Sequence, residues 1–275
     1  MAFAYPGDGS LDYSPCRYGK SRLVFRGPQR QLDTPFCATL GGTETYGKFV
    51  PRPFPALVED ITGRRLINLG CMNAGPDVYL NDPDILQIAS GGDMVIVQIF
   101  GALNLSNRLY AVHPRRNDRF VRASSWLRSL YSDVDFTEFH FTRHMVQTLQ
   151  SVSADRFEVV AAELRGAWVV RMKHLLNQIR SPTLLLWMAG HTPDPQGTDA
   201  DAYSDPLLVN AAMIEKVRTD ATAYLEVVIS PEARCEGLGG KGFSPMERPA
   251  AEGVPGPMAH QEVARAIADA LARLM

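Results

Sequence analysis

The chain has 275 residues, of which 45% are apolar and 21% are charged, and its formal net charge is −2 at pH 7. This apolar fraction is enough to build a core, so the composition excludes an intrinsically disordered chain. The small negative charge argues against a nucleic-acid-binding protein, because such proteins usually carry a basic excess. The four cysteines lack metal-ligand spacing, which indicates free thiols in a reducing compartment.

The beginning of the chain has no basic stretch followed by an apolar segment, so we predict no signal peptide. The longest apolar runs, 94–105 and 183–189, are shorter than the roughly 20 residues that a membrane helix needs. We therefore expect a cytoplasmic protein without a membrane span. We also expect no metal and no cofactor. Nothing in the sequence indicates an oligomeric state.

In chain order, residues 1–34 are rich in Tyr, Arg, Gly and Pro and are predicted as an irregular arm, and 35–275 as one domain. Five apolar runs bounded by Gly or Pro are predicted as buried strands: 36–40, 65–69, 94–100, 183–188 and 223–229. Helical patterns are predicted over 53–61, from 82 onward, over 161–179 and 206–218, and at the C-terminus. Residues 107–150, rich in Arg, His and aromatic side chains, are predicted as a helical cap inserted after the third strand.

Strands that alternate with helices predict an α/β fold in which helices cover both faces of a parallel sheet. We expect a three-layer α/β/α, flavodoxin-like domain with strand order 2-1-3-4-5. Ligands of such sheets bind outside the carboxyl ends of the strands. A functional site is therefore expected in the loops 41–48, 70–77, 101–107, 189–195 and 230–260.

The loop after the first strand has two interpretations. Gly42 to Lys48 has the spacing GxxxxGK of a phosphate-binding loop, although Phe49 stands where a magnesium-binding hydroxyl is expected. The other interpretation is a nucleophile turn with the hydroxyl of Thr43 at its tip. The sequence of the loop by itself leaves both open.

Four segments resemble the motif blocks of the SGNH/GDSL hydrolase superfamily. Residues 41–47 match the first block in length and glycines, with Thr43 at the position of the nucleophilic serine and Gly42 in place of an aspartate. Residues 68–75 and 101–104 are similar to the blocks that supply oxyanion donors, here Gly75 and Asn104. The final Asp-x-x-His block is represented by 257–260, with Pro257 in place of the aspartate and the histidine kept as His260.

This resemblance implies an SGNH-like fold and a bacterial esterase or acyltransferase-type protein with a degenerate catalytic triad. Its substrate would be acylated and either a carbohydrate or an anionic small molecule. The implied catalytic residues are Thr43, His260, Gly75 and Asn104. Glu252 is the candidate that would orient the histidine in place of the missing aspartate.

Six further residues are expected to bind substrate because they follow predicted strands and carry suitable donors: Gly42, Lys48, Arg115, Arg116, Arg119 and His191. Two other functions use the same cleft. One is a glycan- or anion-binding module without catalysis. The other is a sulfuryl or phosphoryl transferase that holds its donor at 42–48.

Overall fold

The structure, a computed structural model, describes residues 9–195 and 205–275. The strands, numbered along the chain, are β1 (Cys37–Leu40), β2 (Leu66–Asn68), β3 (Met94–Gln98), β4 (Tyr110–His113), β5 (Arg116–Ala123), β6 (Thr183–Ala189) and β7 (Ala223–Val228). Five of them form one parallel sheet in the order β2-β1-β3-β6-β7. The predicted α/β fold and strand order are therefore confirmed, and they match the architecture that the resemblance to SGNH/GDSL hydrolases implies.

Helices connect these strands and cover both faces of the sheet. They are α1 (Thr43–Tyr46), α2 (Phe54–Thr62), α3 (Pro76–Leu80), α4 (Pro83–Ala89), α5 (Ser125–Leu130), α6 (Thr142–Val152), α7 (Ala154–Gln178), α8 (Ala211–Arg218), α9 (Pro231–Cys235), α10 (Arg248–Glu252) and α11 (Pro257–Leu274). Helix α2 ends at Gly63, whose φ of 67° is the left-handed conformation that glycine adopts without a steric penalty.

The two faces of the sheet bury two separate apolar clusters. In β3, Val95 and Val97 pack on one face, while Met94 and Ile96 pack on the other. Helices α2 and α11 cover the second cluster and contact each other. Because both faces are buried, the strands are continuous apolar runs, which is why the sequence shows them clearly.

The insert after β3 differs from the predicted helical cap. Strands β4 and β5 form an antiparallel hairpin, and α5 and α6 follow it. Tyr110 and Val112 alternate with half-buried neighbours, which is the period of a strand with one buried face. The arginine-rich composition hid this alternation, so the cap is a hairpin with helices.

The N-terminal segment contributes to the core although it is irregular. Between residues 9 and 35 the side chains of Tyr18, Leu23 and Phe25 are buried in the same cluster as β3. A single antiparallel bridge joins Cys16 to Phe25. Within the described ranges, no helix combines the length and apolar character needed to cross a membrane.

Candidate functional site

A cavity of about 590 Å³ lies at the carboxyl ends of the central strands. Its wall is built from the loops after three neighbouring strands, together with the start of α6 and the segment before α8. The main lining ranges are 42–44, 72–74, 98–101, 141–144 and 205–207. The cavity is therefore where a parallel α/β sheet binds ligands.

The turn after β1 is fixed by one buried side chain, that of Gln98 at the end of β3. Its Oε1 accepts hydrogen bonds from the backbone N–H of Gly42 at 3.1 Å, the N–H of Thr45 at 3.2 Å and the Thr45 hydroxyl at 2.5 Å. Its Nε2 donates to Oε2 of Glu44 at 2.9 Å. Gln98 therefore occupies the backbone donor that Gly42 would offer to an anion and holds the Glu44 carboxyl at the cavity wall.

The side chain of Lys48 is also engaged. Its Nζ lies 2.7 Å from Oε1 of Glu247 and 4.5 Å from the centre of the Phe49 ring. The phosphate-loop interpretation needs free backbone amides and a free lysine, and here both kinds of group have protein partners. The Gly42 amide and the Lys48 ammonium group are therefore not free to hold a phosphate as that interpretation requires, although both residues line the cavity.

The Thr43 hydroxyl lies at the cavity and interacts with Asn73 through two hydrogen bonds. It donates to Oδ1 of Asn73 at 3.1 Å and accepts from the backbone N–H of Asn73 at 2.9 Å. Nδ2 of Asn73 donates to Oδ2 of Asp118 at 3.2 Å. Asn73 has a φ of 54°, a left-handed conformation that asparagine tolerates better than most residues. The partner of the hydroxyl is thus an amide oxygen, which does not take up a proton at neutral pH.

Asn104 and Gly75 are brought to the same place, but their donors point into the protein. Nδ2 of Asn104 donates to the carbonyl oxygen of Asn73 at 3.0 Å, and its Oδ1 accepts from the Thr142 hydroxyl at 2.7 Å. The backbone N–H of Gly75 donates to Oδ1 of Asn117 at 3.2 Å. The Gly75 amide is therefore occupied in this structure, and one of the two N–H groups of the Asn104 amide has a backbone partner.

His260 lies elsewhere, which corrects the expectation that it faces Thr43. It is 1% exposed in α11, and its Nδ1 accepts the backbone N–H of Phe54 at 3.0 Å. The two rings stack with centroids 6.0 Å apart. Burial, together with the positive charges of Arg26 and Lys241, lowers the pKa of His260 to about 3. A neutral, buried acceptor between two helices is a structural histidine and not a general base at the cavity.

The four remaining predicted binding residues are not among the described residues that line the cavity. Arg115 and Arg116 are exposed at the turn of the β4–β5 hairpin. The guanidinium of Arg119 lies over the ring of Phe141, 4.1 Å from its centre. His191 packs edge-on against a tryptophan ring of β6, and its Nδ1 lies near the carbonyl of the next residue. The insert does reach the cavity, but through residues 141–144 and not through these arginines.

Several residues of the site were not singled out from sequence: Glu44, Gln98, Thr142, Arg143 and His144. Glu44 and Gln98 had a signal, since both stand within or directly beside loops expected at the ligand edge. Thr142, Arg143 and His144 begin α6 in the insert, where sequence analysis expected only a cap. Burial raises the pKa of Glu44, with Asp205 contributing and Gln98 opposing. A carboxyl with a raised pKa in a cleft is typical of a functional position.

Among the residues that the structure describes, no group of three His, Cys, Asp or Glu side chains is placed to hold a metal ion. The expectation of no metal and no cofactor thus stays a prediction.

The family described as "Domain of unknown function (DUF6473)" matches residues 1–275. No curated protein matches the chain in sequence. Among solved structures, a protein from Lactobacillus plantarum is similar at 14% identity and a TM-score of 0.41, covering 88% of this chain and 98% of its own.

Two further solved structures are similar to the chain at the same level. A possible lipase from Chitinophaga pinensis has 14% identity and a TM-score of 0.39, covering 87% of this chain and 98% of its own. An acetylxylan esterase from Geobacillus stearothermophilus has 15% identity and a TM-score of 0.34, covering 85% of this chain and 92% of its own.

Proposed function

The chain belongs to the DUF6473 family, and we propose that it binds a small polyhydroxylated molecule of the carbohydrate type in the cavity at the carboxyl ends of the sheet. The proposal keeps the SGNH-like fold and the ligand edge of the sheet. It replaces catalysis, which the motif resemblance implies, with binding.

The observation that carries this proposal is the hydrogen-bond partner of Thr43. A hydroxyl nucleophile needs a base within hydrogen-bond reach that removes its proton during attack. The Thr43 proton is directed at the amide oxygen of Asn73, and the histidine expected to serve as base is buried against Phe54. A hydroxyl held by an amide is suited to recognise a ligand and poorly suited to attack one.

The lining of the cavity supports the ligand class. Amide, hydroxyl and carboxyl groups line one part of the wall, and the rings of Phe100 and Phe141 belong to the same cavity. Sugars present hydroxyl groups that satisfy such polar groups and C–H faces that pack on aromatic rings. Lys48 and Arg143 each have a carboxylate partner, which favours a neutral or cationic ligand over the anionic one considered from sequence.

One observation favours a second function, ester hydrolysis. His144, at the start of α6, lines the same cavity as Thr43. An imidazole at this wall is the group type that activates a hydroxyl, so the cavity contains both parts of a hydroxyl–histidine pair. The esterase or acyltransferase-type function implied by the motifs would use Thr43 and His144 in place of Thr43 and His260.

A binding and turnover experiment separates the two functions. Glucose, cellobiose and a peracetylated glucose are titrated into the wild type, and hydrolysis of an aryl acetate is followed in the wild type, Thr43→Ala and Thr43→Ser. We expect sugar binding and no hydrolysis above the rate of the Thr43→Ala variant. Hydrolysis that Thr43→Ala abolishes and Thr43→Ser preserves would overturn the binding proposal in favour of the esterase.

A further inference from the structure

The charged groups of the cavity wall are not balanced, because its two strong cations already have anionic partners. Nζ of Lys48 lies 2.7 Å from a carboxylate oxygen of Glu247. The guanidinium of Arg143 donates to both carboxylate oxygens of Asp205 at 2.8 Å each. Each cation therefore already forms an ion pair, although the charge of Arg143 also favours the ionised form of Glu44.

Two carboxyl groups of the wall have amide donors instead of cations. Oε2 of Glu44 accepts from the Gln98 amide at 2.9 Å, and Oδ2 of Asp118 accepts from the Asn73 amide at 3.2 Å. Within residues 9–195 and 205–275, neither carboxyl forms an ion pair with a Lys, Arg or His side chain. Each carboxyl is therefore fixed in direction by a neutral group and keeps its second oxygen as an acceptor.

Two further nitrogen-bearing side chains near the wall contact aromatic rings. The guanidinium of Arg119 covers the ring of Phe141 and not the carboxyl of Asp118 beside it in sequence. The imidazole of His144 packs edge-on against Phe139, with centroids 5.1 Å apart.

We propose that the ligand of this cavity carries an amine, so that the site recognises a polyhydroxylated ammonium compound of the amino-sugar type. This inference rests on the proposed binding function and names the ligand class within it. The ammonium group interacts with the Glu44 carboxyl, the hydroxyl groups interact with the amides and with Asp118, and Gln98 is the positioning residue that aims Glu44 into the cavity.

The environment of Glu44 is consistent with this role. Burial raises the pKa of Glu44 although the hydrogen bond from Gln98 and the charge of Arg143 oppose the shift, which means that its ionised form is not fully compensated by the protein. An ammonium group within about 4–6 Å stabilises the carboxylate and supplies the missing compensation. A neutral sugar supplies only hydrogen bonds to the same carboxyl and gains less from it.

The test uses three probes that share a ring and differ in one substituent: glucosamine, glucose and N-acetylglucosamine. Binding to the full chain is measured by calorimetry and by saturation-transfer NMR at about pH 6.5, where a sugar amine is protonated. The same titrations are made with Glu44→Gln, which keeps the shape and removes the charge. The matched control is Glu158→Gln, which removes an exposed carboxyl on α7.

We expect glucosamine to bind the wild type and Glu158→Gln at least about tenfold more tightly than glucose or N-acetylglucosamine, a difference of about 1.4 kcal/mol. In Glu44→Gln this preference is expected to fall to within about twofold. Equal binding of glucosamine and glucose to the wild type would overturn the amine inference and leave the binding function standing. If no sugar bound at all, the proposed function itself would be refuted.

Discussion

The buried imidazole of His260 makes the folding stability depend on pH in a way that can be calculated. A histidine in an unfolded chain has a pKa of about 6.5, whereas burial lowers the pKa of His260 to about 3. As the pH falls below about 6.5, the unfolded state binds a proton that the folded state does not, so stability declines until about pH 3. Between about pH 7 and pH 5, this single group accounts for a loss on the order of 2 kcal/mol.

The perturbation that isolates this effect is His260→Asn. An asparagine Oδ1 lies near the position of the imidazole Nδ1 and can accept the N–H of Phe54, but it does not titrate. Loss of the ring stacked on Phe54 should cost about 2 kcal/mol at pH 7. Between about pH 7 and pH 5, the free energy of unfolding of the variant should fall by about 2 kcal/mol less than that of the wild type.

Urea unfolding of both proteins at the two pH values measures this difference, and the other histidines cancel because both proteins share them. If the free energy of unfolding changed equally with pH in both proteins, His260 would not be buried as a neutral acceptor. Glucose binding at pH 7 provides a second measurement, since a residue outside the cavity should leave it unchanged. If the folded His260→Asn variant no longer bound glucose, His260 would belong to the binding site after all.

Three further predictions concern the turn and the cavity. Because burial raises the pKa of Glu44, stability falls as the pH rises above about 4.5, and Glu44→Gln should raise Tm at pH 7 in thermal unfolding; an unchanged or lower Tm contradicts this. Gly75→Ala should lower the free energy of unfolding, measured with urea, by about 3 kcal/mol or more, because a Cβ would lie 1.7 Å from the Asn104 carbonyl oxygen; a variant as stable as the wild type would show that the two segments are not this close. Gln98→Leu should lower the free energy of unfolding by about 3 kcal/mol in the same assay, since it leaves the Thr45 N–H without its acceptor; wild-type stability of the variant would rule this out.

The sequence alone determined the layers of the fold. Strand β3 and strand β6 are continuous apolar runs because both faces of a parallel sheet are buried, and such runs are visible without knowing their neighbours. The glycine and proline residues at their ends mark the loops, so the carboxyl edge of the sheet could be named as the ligand edge. The turn at Thr43 was found in this way, and the structure places it at the cavity.

The sequence also indicates the position of His260 through a helical spacing that disagrees with the resemblance to the Asp-x-x-His block. His260 is spaced three, four and seven residues from Val263, Ala264 and Ile267, which are all fully buried on one side of α11. That spacing places the histidine on the apolar face of the helix and away from a solvent-facing loop. This spacing is typical of a buried position, whereas the motif resemblance predicted catalysis, and the structure shows His260 buried.

Only the tertiary structure decided which polar groups meet in the cavity. Asn73 and Asp118 are 45 residues apart and belong to a loop and a hairpin whose arrangement no local pattern specifies. Gln98 ends β3, but its contact with Thr45 requires the parallel pairing of β1 and β3 to bring the two loops side by side. Hydrogen bonds are short-ranged and directional, so which donor meets which acceptor is fixed by the packing of distant segments and not by residue type.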